Sequence, residues 1–299
     1  MRIGDDMSDP VLLLRTIPPS RISHKGFQWP ESGPVKAPEW DDTPCECKGL
    51  LGLPWGTGDG SFLSDESDAI WLVLETRKDL LVDLEGVVKT PRAQVVYSGN
   101  REGALRFLKE SGRPSTTLVY DTAKAGSFDV AGTGKGGTSH AGNYGCAYSG
   151  HSGCSVSLEG GISVTRGAGT ATSGFDGHSV ATGSNGTALT EGLGTAIVGP
   201  SGKAVSGSYG KSIAGRFGIA ITGPYGLAIS EEGYVQAGHG GHICIEWIGC
   251  VGPDYQQGRQ SVSGVIGVGG LKPNILYKRD GDSFIPVSPE DLLNGRASQ

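Results

Sequence analysis

The chain has 299 residues, 52 of them glycine, and 25 basic against 31 acidic side chains give a net charge of −6. That length accommodates about two or three domains, the acidic balance leaves no basic footprint for nucleic acid, and glycine at more than twice its usual ~7 % marks either a linker or a repeat built on tight turns. The N-terminal stretch has one short apolar run, Val11 to Leu14, which is neither a leader nor a membrane span; the expectation is a cytoplasmic protein with no membrane partner.

In chain order, residues 1–120 have ordinary composition and read as a small α+β domain with long N-terminal loops. Trp29 to Gly60 is rich in Pro, Gly and Trp and predicts surface loops. Ala69 to Glu75, Leu80 to Leu84, Gln94 to Tyr97 and Thr116 to Tyr120 have the β-branched and apolar content of strands. Between the last two, Asn100 to Ser111 predicts a helix with Asn100 as N-cap, Leu105 and Leu108 on its apolar face, and Gly112 as its stop.

Residues 121–241 carry a repeat. From Gly137 to Gly233 a glycine opens each of twelve octads, with one nine-residue step after Gly177; later copies read GTAIVGPS, GKAVSGSY, GKSIAGRF and GIAITGPY. DTAKAGSF from Asp121 is a degenerate copy. A fixed short period means stacked coils that are stable only against their neighbours. Two octads close one flattened coil, so the expectation is mainly β: a glycine-rich β-solenoid of about six two-octad coils, roughly 30 Å long at the ~4.8 Å strand spacing. Residues 242–299 predict a C-terminal β cap, with short strands in HICIEWIG, Val262 to Val268, Ile275 to Lys278 and Phe284 to Val287, and a last helical turn from Ser288 to Asp291.

Side chains alternate along a strand, so places two and four after each glycine share one face and places one and three the other. Places two and four are small throughout, whereas place one includes His178, Lys203 and Lys211, which a narrow interior would not admit. On that reading place three points outward, and Val180, Leu189, Ile197, Val205, Ile213, Ile221 and Ile229 form exposed aliphatic ladders, which mark an interface. The turn aromatics Tyr209, Phe217 and Tyr225 would supply anchors beside them. The same alternation leaves a second reading open, in which place three is the core and the lysines snorkel from strand ends.

Few residues suggest chemistry. Gly56, Gly58 and Gly60 in WGTGDG lack the strand and the Gly-Lys-Ser/Thr that a phosphate loop needs and read as a turn. Asp59, Asp65, Glu66 and Asp68 read as a solvated acidic loop. His24, His140, His151, His178, His239 and His242 show no metal-ligand spacing, and neither do the six cysteines, which read as small buried thiols of a reducing compartment. No hydrolase signature occurs. No catalytic residue, metal or cofactor is therefore expected. An ice-binding Thr-x-Thr pattern at places one and three occurs only at Thr170-Ala171-Thr172.

The octads resemble those of uncharacterised bacterial proteins with GTATAGYG-type repeats and, more distantly, those of ice-nucleation proteins; Ser179-Val180-Ala181-Thr182-Gly183 is similar to the SVAIG units of YadA-like adhesin heads. GFQWPESGPVKAPEW, CKGLLGLPWGTGDG, WLVLE, VVYSGNREGALRFL and GLKPNILYKRDGDSFIPV resemble the segments that flank the repeats in the first family. A Cys-x-x-Gly-Leu-His run common there stands here as Cys47-Lys48-Gly49-Leu50-Leu51, without the histidine. The resemblance implies a fold more than an activity. The functional expectation is a non-enzymatic protein-binding module that meets a protein partner through the solenoid face, most concretely as the inhibitor or immunity partner of a bacterial toxin. The alternatives are an enzyme with its site among loops 24–68, or a self-associating structural or ice-binding-like solenoid.

Overall fold

The computed structural model describes residues 9–23, 26–46, 48–58, 60–64, 66–111, 118–251 and 256–288, in two compact units, Met1–Asp121 and Thr122–Gln299. Gly112 and the Pro289 to Asp291 turn fall outside them. No helix among the described residues is long and apolar enough to cross a membrane.

The first unit is a seven-stranded antiparallel sheet made of β1 (Pro10–Ile17), β2 (Gly33–Lys36), β3 (Leu50–Pro54), β4 (Ile70–Arg77), β5 (Val82–Asp83), β6 (Val88–Thr90) and β7 (Arg92–Gly99), in the order β2-β7-β4-β1-β3-β6-β5. The run from Val11 to Leu14 is central strand, apolar at consecutive positions because both faces are covered. Leu12 and Leu14 enter one core with Trp71 and Val73; Val11 and Leu13 enter the other with Leu72, Leu74 and Val95. Helix α1 (Arg101–Glu110) brings Ala104, Leu105 and Leu108 to the first core, and the Asn100 side chain accepts from Gly103 N at 2.9 Å, as an N-cap should.

Two expectations change here. The Trp29 to Gly60 stretch is not all loop: it contributes β2 and β3, whose Pro34, Gly52 and Pro54 mask the strand signal. Gly52 is needed because a Cβ there would stand 2.8 Å from that of Leu13. Leu118 to Tyr120 are not strand; Leu118 and Val119 are instead buried in the helix-side core.

The second unit is a β-solenoid of about eight turns with two parallel sheets. The first sheet stacks Thr122–Lys124, Thr138–Ala141, Cys154–Ser157, Thr170–Phe175, Thr187–Glu191, Lys203–Ser206, Ile219–Thr222 and Tyr234–Gln236; the second stacks Val130–Gly132, Cys146–His151, Ile162–Arg166, His178–Ala181, Thr195–Val198, Lys211–Ala214, Leu227–Glu231 and His242–Val251. Eight coils replace the expected six. The added ones come from the degenerate copy at Asp121 and from the stretch after Gly233, which lose the consensus at outward places but keep compact apolar residues, Ala123 or Val235, at place two. From first coil to eighth the stack is about 34 Å long. The nine-residue step puts its extra residue in the turn after Ala181, so Thr170 still pairs with Thr187 and His178 with Thr195.

Places two and four point inward. Ser139, Ala147, Ser155, Ala171, Ala188, Ala196, Ala204 and Ala220 are fully buried, while place three is half-buried or exposed along both sheets. The aliphatic ladders therefore face outward. The interior is held by serine as much as by alanine. A place-four hydroxyl meets the place-two hydroxyl of the next octad at 2.9 Å in Ser149–Ser155, Ser157–Ser163, Ser173–Ser179 and Ser206–Ser212, and the place-two O–H donates onward to a backbone carbonyl, as Ser212 does to Ile221 O at 2.6 Å. Each such chain satisfies hydroxyls that burial would otherwise penalise. The opening glycine closes the corner: at Gly210 a Cβ would lie 2.6 Å from the Ser206 Cβ and 2.7 Å from Gly192 O in the coil before.

At the C-terminal end the interior widens to Val235, Ile243 and Ile245, packed with Ile266, Tyr277 and Phe284. Gln256–Val265 adds an antiparallel strand to the second sheet, and Tyr277–Asp280 with Ser283–Pro286 add two to the first. Both parallel edges are thereby covered at this end.

Candidate interaction surfaces of the solenoid

An eight-residue period does not say which octads share a sheet; the sixteen-residue coil does. The ten interface candidates separate accordingly. Val180, Ile197, Ile213 and Ile229 stack in register on the second sheet, continued by Val164. Leu189, Val205 and Ile221 stack on the first. Tyr209 and Tyr225 lie in the turns at one edge, and Phe217 in the turn column of the opposite edge. No single surface holds all ten.

The first sheet carries a feature that adjacent octads conceal. Its place-one column reads Thr122, Thr138, Cys154, Thr170, Thr187, each paired with the next, and Thr172 stands beside Thr170 at place three. Comparing every second octad reveals this rank, in which Thr170-Ala171-Thr172 is one member. Toward the C-terminal end the column turns to Lys203 and Ile219.

At the edge, Phe128 stacks on Tyr144 and Tyr209 on Tyr225, with centroids 5.2 Å apart in each pair. Three glycines receive the rings: a Cβ on Gly160, Gly192 or Gly240 would collide with Tyr144, Phe175 or Tyr225. Between Phe175 and Tyr209 this leaves a groove of about 850 Å³, with Leu193 and Val205 in its lining.

Residues with potential chemistry are dispersed. His140 and His178 point outward on opposite sheets, His24, Asp59 and Asp65 fall outside the described residues, and Glu66 and Asp68 are exposed. Among the described residues no three metal-ligating side chains come together. The described residues Trp55 to Gly58 of the WGTGDG segment form a turn, with Thr57 N donating to Pro54 O at 3.0 Å. Cys146, Cys154 and Cys244 are not interior: they are half-buried on the outward faces as free thiols, and burial pushes each thiol up from its ordinary value, which makes them poor nucleophiles. Cys45 is disulfide-bonded, contrary to the expectation of reduced thiols throughout.

In the loops of the first unit a hollow of about 530 Å³ is lined by Arg15, Trp29, Glu39, Glu46 and Lys48. The Arg15 guanidinium lies 4.6 Å over Trp29 and donates to Leu51 O at 2.9 Å, and burial lowers its pKa to about 10. Fully buried Lys89 reaches Asp41 at 3.2 Å. Hydrogen bonds from Thr43, then Lys48 and Lys89, hold the Asp41 carboxyl well below the usual range. Leu51, at the place of the missing histidine, serves β3 beside Leu50.

No protein-family model matches the chain, and no solved structure does. Curated relatives do. An ice nucleation protein of Pseudomonas syringae is 42% identical over 102 residues, 33% of this chain and 9% of the relative. One from Xanthomonas campestris pv. translucens is 41% identical over 100 residues, and one from Enterobacter agglomerans 36% identical over 124 residues, 41% of this chain and 10% of the relative. The match covers 6–10% of these relatives' length. They overturn the cytoplasmic expectation, since ice nucleation proteins are not cytoplasmic, and they lend no support to toxin inhibition. The repeats of this chain are ice-nucleation-like, at about 40% identity over a third of its length.

Proposed function

We propose that the chain is a structural, ice-binding-like solenoid that orders water along the threonine rank of its first sheet and acts in self-associated form. One observation carries this reading: Thr122, Thr138, Thr170 and Thr187 project from one rigid parallel sheet in a single in-register column. The ladder sets the hydroxyls at multiples of its ~4.8 Å repeat, with the Cys154 thiol in the row between Thr138 and Thr170, and β-branching leaves each threonine few rotamers. Waters bridging such hydroxyls inherit a fixed spacing at small entropic cost. The ice nucleation relatives support the same reading from sequence.

One molecule offers a rank only about 19 Å long, from Thr122 to Thr187, and a small template stabilises only a small ice embryo, so association extends what a single chain can do. The test is droplet freezing with purified protein. Droplets should freeze at warmer temperature than buffer, and a Thr170→Glu/Thr187→Lys variant with an unchanged circular dichroism spectrum should lose most of that shift. Wild-type droplets that freeze with buffer, or a variant indistinguishable from wild type, would refute the water-ordering role.

A further inference from the structure

We infer that the second sheet is a self-complementary docking face for another copy of this chain, in an isologous dimer whose coils run in opposite order. This rests on the self-association just proposed and gives it a face and a symmetry. Counting the capping strand, the second sheet has nine strands, and the fifth is Thr195–Val198. A two-fold axis along that strand lays the sheet over itself, row three on row seven and row four on row six. The aliphatic column then meets its own image. Ile197, 38 % exposed, falls on Ile197 of the partner subunit, Val180 opposite Ile213, and Val164 opposite Ile229, following the register of the rows.

Charge selects this order of coils. At place five the column holds Arg166 on row three and Glu231 on row seven, with the neutral Thr182, Gly199 and Gly215 between. Inversion about row five sets each Arg166 against Glu231 of the other copy, twice per dimer. Equal coil order puts the axis along the stack and reverses the strands, which sets Arg166 against Ile162 and Glu231 against Leu227 and leaves both charges unmatched. Lys211 falls opposite His178 and adds nothing to the match. Nine rows at ~4.8 Å, across strands of about four residues, give roughly 550 Å² per copy, or about 1,100 Å² in total, at the lower end of specific interfaces. The dimer is accordingly modest in affinity. It leaves both threonine ranks facing solvent, since they belong to the other sheet.

Sedimentation of the full chain at micromolar concentration tests this without ice. Wild type should be a dimer. Ile197→Asp should be a monomer with an unchanged melting temperature, because that side chain already faces outward. Arg166→Glu and Glu231→Arg should each weaken the dimer about tenfold, and the double exchange should restore it. A monomeric wild type at 100 µM, a dimeric Ile197→Asp, or a double exchange no better than the single changes would overturn the proposal. Thr187→Lys, on the opposite sheet, should stay dimeric. A protein that dimerises without raising the freezing temperature refutes only the water-ordering role, and a monomer that nucleates ice refutes only the dimer.

Discussion

At place two of the middle coils nothing larger than alanine or serine is found. Ala188, Ala196, Ala204 and Ala220 are fully buried between sheets whose separation the Ala and Ser ladders set, so Ala196→Leu must push the sheets apart, and overpacking of this kind costs about 1–3 kcal/mol or more. Ile221→Ser, one sheet face away and pointing out, should cost far less; paired thermal melts would show the contrast, and equal losses would mean that place three is core after all. Gly192→Ala tests the turn column. Its φ of 53 and the Phe175 ring over it predict a loss of roughly 1–3 kcal/mol. In the first unit, Asp41 carries the acid sensitivity. Its carboxyl titrates lower folded than unfolded, so the stability it adds is complete above about pH 4 and is lost as pH falls below that. Tryptophan fluorescence through an acid titration should show the unit loosening there, and Asp41→Asn should flatten that dependence while weakening the unit at neutral pH. The small places two and four were legible from residue types alone. The serine chains were not, because a hydroxyl and a methyl look alike to a pattern that records only size.

Among elements, the strand of each octad was plain in the sequence, and the two-octad coil already implied that alternate octads share a sheet. Ile213 and Ile221 are equivalent in the octad yet face opposite ways, and the threonine rank emerges only when every second octad is compared. The end coils, of which the degenerate copy at Asp121 was legible, stood outside the count of six. Their outward places have drifted to Lys124 or Tyr234, while what makes a coil is the inward pair. The cap was expected from short strands, but its function as a plug depends on Tyr277, buried beneath the last coil with its hydroxyl accepting from Lys272 N at 2.6 Å. Tyr277→Phe removes that bond and should cost about 1 kcal/mol, whereas Tyr277→Ala opens a cavity worth about 3–5 kcal/mol. The alanine variant should also bare the last parallel strands, which invites end-to-end aggregation. Light scattering that stays flat for Tyr277→Ala would show that the hairpin plugs the end without its anchor.

At the scale of the whole molecule, stability in a stack of coils is close to a sum of neighbouring contacts, so inserted repeats should be tolerated in whole coils and in halves alike, with different consequences for the surfaces. Duplicating Gly194–Tyr209, sixteen residues, adds one row to each sheet and leaves every later side chain on its original face. The inverted match also survives: in a ten-row sheet row three meets row eight, where Glu231 then stands. Duplicating only Gly194–Ser201, eight residues, moves each later octad to the other sheet and takes Glu231 away from the face of Arg166. Thr138, Thr170 and Thr187 precede the insertion and keep their places. Both variants should therefore fold with a β spectrum like the parent's and keep the threonine rank, but only the sixteen-residue insertion should remain dimeric in sedimentation. If both stay dimeric, association does not run through the second sheet; if the eight-residue insertion fails to fold, the octads are less interchangeable than their shared places two and four imply.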